Sequence, residues 1–537
     1  MEVGFYSHAI TSIIYATVAS IKMAITNMLF SFGLRQLCGL ALIMCCWVLL
    51  PLAFGVTLFA QSVSKSRFNI LLIMVDDLRP ELNCYGASQI KSPNMDRLAS
   101  SGTTFLSAYC QYPVCAPSRA SMLSGTRPAS TKVYDLYTDF REALTEIPSL
   151  PELFKNSGYY TDRFGKIFHI DDARSWTPPY PEQKFGPSEP KRRSPYASPE
   201  LNEAGWLKFE EAKRNGLIGV ELERSQRGPA YEIADVDDEQ LPDGKIATEG
   251  VKALQEAKER GDPFFIAVGF HKPHLPFVAP RKYWEMYDGD SIQVAENVVP
   301  PAGAPYALGD AAEFYTYTDV PDNRPIPSEY ARLARHGYYA CVSYVDAQVG
   351  RVLDELERLK LDRSTIVVLV GDHGYKLGEH GSWGKSSNFE VDARVPLIVR
   401  VPGYKSNTVV PGLVEMLDIY PTLAMLANLP LPEHVEGQSF DYLLKKPYAP
   451  GKEAAFTQCA RGDRMGYSMR TARYRFTKWI KRGKPDAWEL YDHSNDPNEN
   501  NNLAVLPGSK ELCEQFSKQI DQQISVQYLS QALMYEP

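Results

Sequence analysis

Residues 67–77 read RFNILLIMVDD, a continuous apolar run to Val75 that stops abruptly at Asp76-Asp77. A strand with one wet face would alternate polar and apolar residues, so this run predicts a strand covered on both faces. Two more segments share the design. PFFIAVGF at 263–270 stops at His271-Lys272-Pro273-His274, and TIVVLVG at 365–371 stops at Asp372-His373-Gly374. Helical patterns lie between them: Ile246, Val251 and Leu254 share one face of 243–260. Val342, Val345, Val349, Val352 and Leu356 recur at three- and four-residue steps within 328–360. Strands alternating with helices imply an α/β fold with a large, mostly parallel sheet between helices. Such sheets bind ligands beyond the carboxyl ends of their strands, so the three polar clusters are expected to meet at one site.

Residues 171–242 are polar, rich in Pro and charge and weakly periodic, and read as an excursion near the rim of that site. After about residue 440 the texture changes to short alternating runs such as GYSMRT, RYRFTKW and WELYD. These predict an antiparallel sheet, followed by a helix from Ser509 to about Ala532. The expected organisation is a leader at 1–60, a catalytic domain at 61–440 and a small α+β subdomain at 441–537.

The 537 residues are 44% hydrophobic and 23% charged, with 36 Gly and 39 Pro, proportions that exclude a disordered or collagen-like chain. The net charge of −8 comes without any basic stripe, which argues against nucleic-acid binding; an anion site must be a local basic pocket. The first sixty residues carry only Glu2, Lys22 and Arg35 as charges. Their uncharged run at 37–60 fits either a cleaved secretory signal or a retained anchor, with Met28 an alternative start. Both readings export the remainder, to the periplasm, the lumen or the outside. Three of nine cysteines lie in the leader; the other six are Cys84, Cys110, Cys115, Cys341, Cys459 and Cys513, with no CxxC pair or zinc spacing. If one of the six is catalytic, the remaining five cannot all pair.

The sharpest motif is Cys115-Ala116-Pro117-Ser118-Arg119, followed by Leu123-Ser124-Gly125-Thr126-Arg127-Pro128. It resembles the signature of the type I, formylglycine-dependent sulfatases, a family with an alkaline-phosphatase-like fold. VDDLRPELNCYG from Val75, GKIFH from Gly165, AVGFHKPHLPF from Ala267, GDHGYKLGEHGSWGKSSNF from Gly371 and ELYDHSNDPNENNNLA from Glu489 are similar to the iduronate-2-sulfatase branch. The likeness spans nearly everything after the leader and is weakest at 171–242.

The resemblance implies that a maturing (formylglycine-generating) enzyme oxidises Cys115 to formylglycine, whose hydrate is the nucleophile. It implies a calcium ion held by Asp76, Asp77, residue 115, Asp372 and His373, a position where many sulfatases have Asn. Hard carboxylate oxygens suit that ion. Arg119, Lys166 and Lys385 become the clamp on the sulfate oxygens, with help from the N-terminus of the helix after Cys115. His274 becomes the acid for the leaving alcohol, and His169 the partner of the formylglycine hydrate; His271 and His380 take supporting roles. A sulfate ester needs all three elements: a nucleophile, neutralisation of nonbridging oxygens and a proton for a poor leaving group. The implied substrate is a 2-O-sulfated uronic acid of iduronate type in a glycosaminoglycan-like polysaccharide.

Two alternatives accompany this reading. One is a formylglycine-dependent hydrolase of another sulfated sugar position or of phosphonate or phosphodiesters. The other is a non-catalytic binder of sulfated glycans, whose sign would be a missing motif residue; none is missing here. Arg461 and Arg464 are candidate readers of a uronate carboxylate. Tyr375, where lysosomal members carry Trp, is expected to bear on the sugar subsite.

Overall fold

The computed structural model describes residues 67–179, 195–309 and 313–534, with side chains to residue 524. The leader and residues 180–194 of the polar excursion lie outside them. Among the described residues no helix is long and apolar enough to cross a membrane.

Seven strands form the main sheet: β1 (Asn69–Val75), β2 (Thr103–Tyr109), β3 (Tyr160–Gly165), β4 (Phe264–Phe270), β5 (Thr365–Gly371), β6 (Arg394–Arg400) and β7 (Thr408–Glu415). Their order is β7-β2-β6-β5-β1-β4-β3. Only β6 runs against the others: it is antiparallel to β2 and β5, while the remaining neighbours pair in parallel. β1, β4 and β5 are buried along their whole length.

Alternate side chains of β1 enter two different cores, as the period of a strand requires. Leu71, Ile73 and Val75 pack with Ala334, Tyr338, Val345 and Val349 of the long helix Ser328–Arg358 and Leu254 of Pro242–Arg260. Ile70, Leu72 and Met74 share the opposite core with Ala116, Ala120 and Leu123 of the helix Cys115–Ser124 and Ile419 and Leu423 of Ile419–Leu426. The sheet is therefore sandwiched between helices.

The polar excursion is more ordered than its weak periodicity implied. It holds a helix at Pro199–Arg214 whose buried residues are only Gly205, Phe209 and Ala212, a stripe too thin to register as amphipathic. It then adds a short strand, Tyr231–Ala234, alongside Phe277–Pro280 just after the HKPH cluster.

The C-terminal texture does form an antiparallel sheet, β8 (Ala455–Arg461), β9 (Arg464–Arg470), β10 (Tyr474–Lys481) and β11 (Lys484–Asp492), followed by the helix Lys510–Met534. Cys513, Phe516 and Ile520 of that helix pack on Met469, Phe476 and Leu490. β8 is tied to the loop ahead of Cys115: Thr457 Oγ1 donates to the Cys110 carbonyl at 2.7 Å, and the Gln458 N–H donates to Gln111 at 2.9 Å. Six cysteines are described and all are free thiols, Cys115 among them.

Within this sheet, Glu489 accepts from Trp479 Nε1 at 2.6 Å and Tyr491 Oη at 3.0 Å. Burial outweighs both donors and pushes its carboxyl up from 4.5 to about 7. The stability it contributes is full below about pH 4.5 and lost as the pH rises through about 7. Glu489→Gln keeps a group that bonds both neighbours. Thermal melts from pH 5 to 8 should therefore decline less in the variant, by about 3 kcal/mol in unfolding free energy.

Candidate active site

The carboxyl ends of β5, β1 and β4 lie side by side, and backbone bonds splice the chain just past them. Asp76 N–H donates to Phe270 at 3.1 Å and Asp372 N–H to Val75 at 3.3 Å. Asp77 takes a left-handed φ of 60°, and its N–H donates to Asp372 Oδ1 at 3.1 Å. That turn lets two successive aspartates serve one pocket. Asp76, Asp77, Asp372 and His373 are at most 1% exposed.

Cys115 opens a helix whose ten residues are all buried. Its Sγ lies 3.2 Å from His373 Nε2 and 3.3 Å from Lys385 Nζ. One turn on, Arg119 donates from Nε to Asp372 Oδ2 at 2.8 Å and from Nη1 to the Ile167 carbonyl at 3.0 Å. Its Nη2 stands 3.5 Å from Asp76 Oδ1. Lys166, past the end of β3, pairs with Asp76 Oδ2, and Lys385 pairs with Asp77 Oδ1 at 2.8 Å.

The electrostatics follow from burial set against these pairs. Burial pushes Asp76 up, but Lys166, His274, Arg119 and Lys385 outweigh it and hold the carboxyl well below its usual range. Burial likewise opposes charge on Lys385, while Asp77, Cys115 and Glu313 hold it well above. His373, accepted at Nδ1 by the Gly374 carbonyl at 2.8 Å, directs Nε2 at Asp77, Asp372 and Cys115. Against the burial penalty, Asp372 and then Cys115 raise it to about 10.

The residues fit a divalent cation. Asp76, Asp372, His373 and Cys115 offer ligand atoms within 4.8 Å of one another. Asp76 Oδ1 and Asp77 Oδ2 are buried without a hydrogen-bond partner; Arg119 Nη2 and His274 Nε2 come only to 3.5 and 4.0 Å of them, which leaves each oxygen a lone pair for a closer cation. Three carboxylates face Arg119, Lys166, Lys385 and a protonated His373, so a divalent ion that displaces the His373 proton would leave the pocket positive enough to hold an anion.

His274 Nε2 faces the same pocket, 4.0 Å from Asp77 and 3.7 Å from Glu313; its Nδ1 lies 2.7 Å from the Leu275 carbonyl. Burial, then Lys385, lowers its pKa. His169 has a buried Nδ1 with no hydrogen-bond partner. Burial and Lys166 hold it well below the usual histidine value, which favours the neutral ring. His271 is anchored instead: its N–H and that of Lys272 donate to buried Asp243 at 2.9 and 2.7 Å.

Three sequence-level expectations change. Tyr375 is 1% exposed and stacks on Tyr338, 6.0 Å away, so its ring is packed into the core and not presented on the pocket surface. Arg464 is committed to Asp486 at 2.6 Å and Asp463 at 3.0 Å. Arg461 donates to backbone carbonyls, including that of Ser386. Sequence reasoning missed Glu313, 3.7 Å from both His274 and Lys385 and 3.3 Å from Arg227. Its neighbours form no motif, so only the fold identifies it. Beside it, an open cleft runs past His274, Arg227, Asn202 and Tyr196.

Residues 68–429 match the family model described as Sulfatase, and residues 378–526 match that of the C-terminal region of N-sulphoglucosamine sulphohydrolase. Iduronate 2-sulfatase of Homo sapiens is 34% identical over 530 residues, covering 84% of this chain and 93% of the relative. Two solved structures share the fold. A 2-O GAG sulfatase superposes with TM-score 0.64 at 22% identity, over 86% of this chain and 93% of that one. The phosphonate monoester hydrolase of Agrobacterium radiobacter gives 0.66 at 20%, over 86% and 96%.

A cation bound to the native pocket must stabilise it by mass action. Calcium at a hundredfold its dissociation constant should add about 2.7 kcal/mol, read as a rise in melting temperature that a chelator reverses. Asp77→Asn should abolish that rise, and a rise that survives the substitution would place the ion elsewhere.

Proposed function

The chain belongs to the sulfatase family, and from that premise we propose that it removes 2-O-sulfate from uronic acid residues, of iduronate type, in sulfated saccharides. Sulfuric ester hydrolysis is the family's reaction; the sugar and the residue roles are the proposal. The observation that carries it is the meeting of Cys115 with His373, Lys385 and the three aspartates in one pocket, between buried cations. The resemblance to iduronate 2-sulfatase over most of the chain supports the choice of substrate.

Asp76, Asp77, Asp372 and His373 would hold the calcium ion, which would supply a Lewis acid to polarise a sulfate oxygen. Residue 115, once oxidised to formylglycine by a maturing enzyme, would supply a geminal diol as nucleophile.

The protein's own groups do the rest. Arg119, one turn into the helix that opens at Cys115, fixes the nonbridging oxygens together with Lys166 and Lys385. Those two lysines are paired with carboxylates, so their ammonium groups arrive already oriented. His274 lies on the cleft side of the pocket; in its protonated form, with Nδ1–H held on the Leu275 carbonyl, the Nε2 proton passes to the departing sugar oxygen and leaves the neutral ring. His169, held neutral by burial and Lys166, takes a proton from residue 115 when sulfate leaves. Export, expected from the apolar leader, belongs to the same proposal.

The test is sulfate release from mature protein, with conversion of residue 115 verified by peptide mass, across defined sulfated disaccharides. Release confined to 2-O-sulfated uronic acids at the non-reducing end is expected. Release from another position keeps the chemistry and replaces the sugar. Silence from converted enzyme sinks the reading and directs attention to phosphonate and phosphate esters. Cys115→Ala should lower turnover by at least ~10³-fold, the scale of losing a nucleophile.

A further inference from the structure

Lys385 enters the site from a loop, and the residue after it is held in an uncommon backbone state. Ser386 has φ of 75°, in the left-handed region that non-glycine residues occupy only where their surroundings over-determine it. Both of its backbone polar groups are taken by separate parts of the fold. The N–H donates at 3.1 Å to the carbonyl of Pro113, two residues ahead of Cys115. The carbonyl accepts from Nη2 of Arg461, the last residue of β8.

Arg461 is itself fixed. Nη1 donates to the Ala460 carbonyl at 2.8 Å, and Nη2 reaches the Ala307 carbonyl at 3.3 Å. Gly309 leaves room for it, since a Cβ there would stand 2.8 Å from Arg461 Cζ. From the other side, buried Lys376 lies 3.4 Å from the carbonyl of Lys385 and is paired with Asp392. The Lys385–Ser386 backbone is thus gripped by the nucleophile loop, by Lys376 and by the C-terminal sheet.

We propose that Arg461 is a positioning residue, which holds the Ser386 carbonyl so that Lys385 Nζ reaches Asp77 and residue 115 together. The proposal rests on the reading above, in which Lys385 binds the sulfate. It also reassigns Arg461, because two of its three guanidinium nitrogens are spent on backbone carbonyls and not on a uronate. A lysine side chain has many rotamers, so its ammonium is only as well placed as the backbone that launches it. Displacement by 1 Å can cost about a hundredfold in rate.

The experiment compares mature wild-type enzyme with Arg461→Ala, Arg461→Lys and Lys385→Ala on a 2-O-sulfated uronate disaccharide and on its carboxyl methyl ester. Arg461→Ala should lower kcat roughly 10- to 100-fold, by the same factor on both substrates and with KM little changed. Methylguanidinium in the assay, or Arg461→Lys, should restore part of that loss. A loss confined to the free carboxylate would make Arg461 a substrate reader and overturn the proposal, as would full activity of Arg461→Ala alongside an impaired Lys385→Ala. Full activity of Lys385→Ala would instead overturn the underlying site reading, and the positioning role with it. Should Arg461→Ala fail to fold, Arg461→Gln, which retains one donor, faces the same outcomes.

Discussion

Arg119 donates to Asp372 with neither side chain exposed to solvent, and every other charge in the pocket is arranged around that pair. Asp76 lies against Arg119 and Lys166, Asp77 against Lys385, and His373 against both Asp77 and Asp372. Taking ions out of water is expensive, and each of these groups is tolerable only because its partners are present. Deleting one member of a buried pair typically costs about 3–5 kcal/mol, because the other is left uncompensated. The three strand-end clusters and the helix that opens at Cys115 must therefore be placed together or not at all.

The scaffold meets that demand from two directions. The buried strands β1, β4 and β5 fix the aspartates and histidines from below, through backbone bonds across their ends. The C-terminal sheet secures the loops from the side. Asn388 Nδ2 donates to the Gly466 carbonyl at 3.0 Å, and Arg475 joins Glu390 to Glu499. Glu390, His493 and Glu499 have a spacing that could suit a metal, but Arg475 and Arg470 already neutralise them. That cluster is a lock between the C-terminal sheet and the loop after Lys385.

What the sequence disclosed was decided by how local each signal is. Strands buried on both faces announce themselves as apolar runs, so β1, β4 and β5 were legible with their polar termini. Cys115 and Arg119 share one helical turn and form a motif. The helix Pro199–Arg214 was not legible, because only three of its residues are buried and two of those are small. Glu313 and the true partner of Arg461 were hidden for a different reason. Each acts across a long sequence separation on a backbone group or side chain that no pattern predicts. Tyr375 stands next to a site motif in sequence yet is turned into the core, where it packs on Phe277 and Tyr338.

The reversal of β6 has a further consequence. A parallel successor to β5 would require the chain to cross back to the opposite end of the strands before re-entering. Because β6 runs backward, residues 372–393 leave and re-enter the sheet at the same end of its strands. That single closed loop carries Asp372, His373, Lys385 and Glu390. Its middle, between the His373 and Lys385 anchors, is a buried plug in which Tyr375, Leu377 and Trp383 join the core and Lys376 pairs with Asp392, so a change of length there would be felt at both anchors at once.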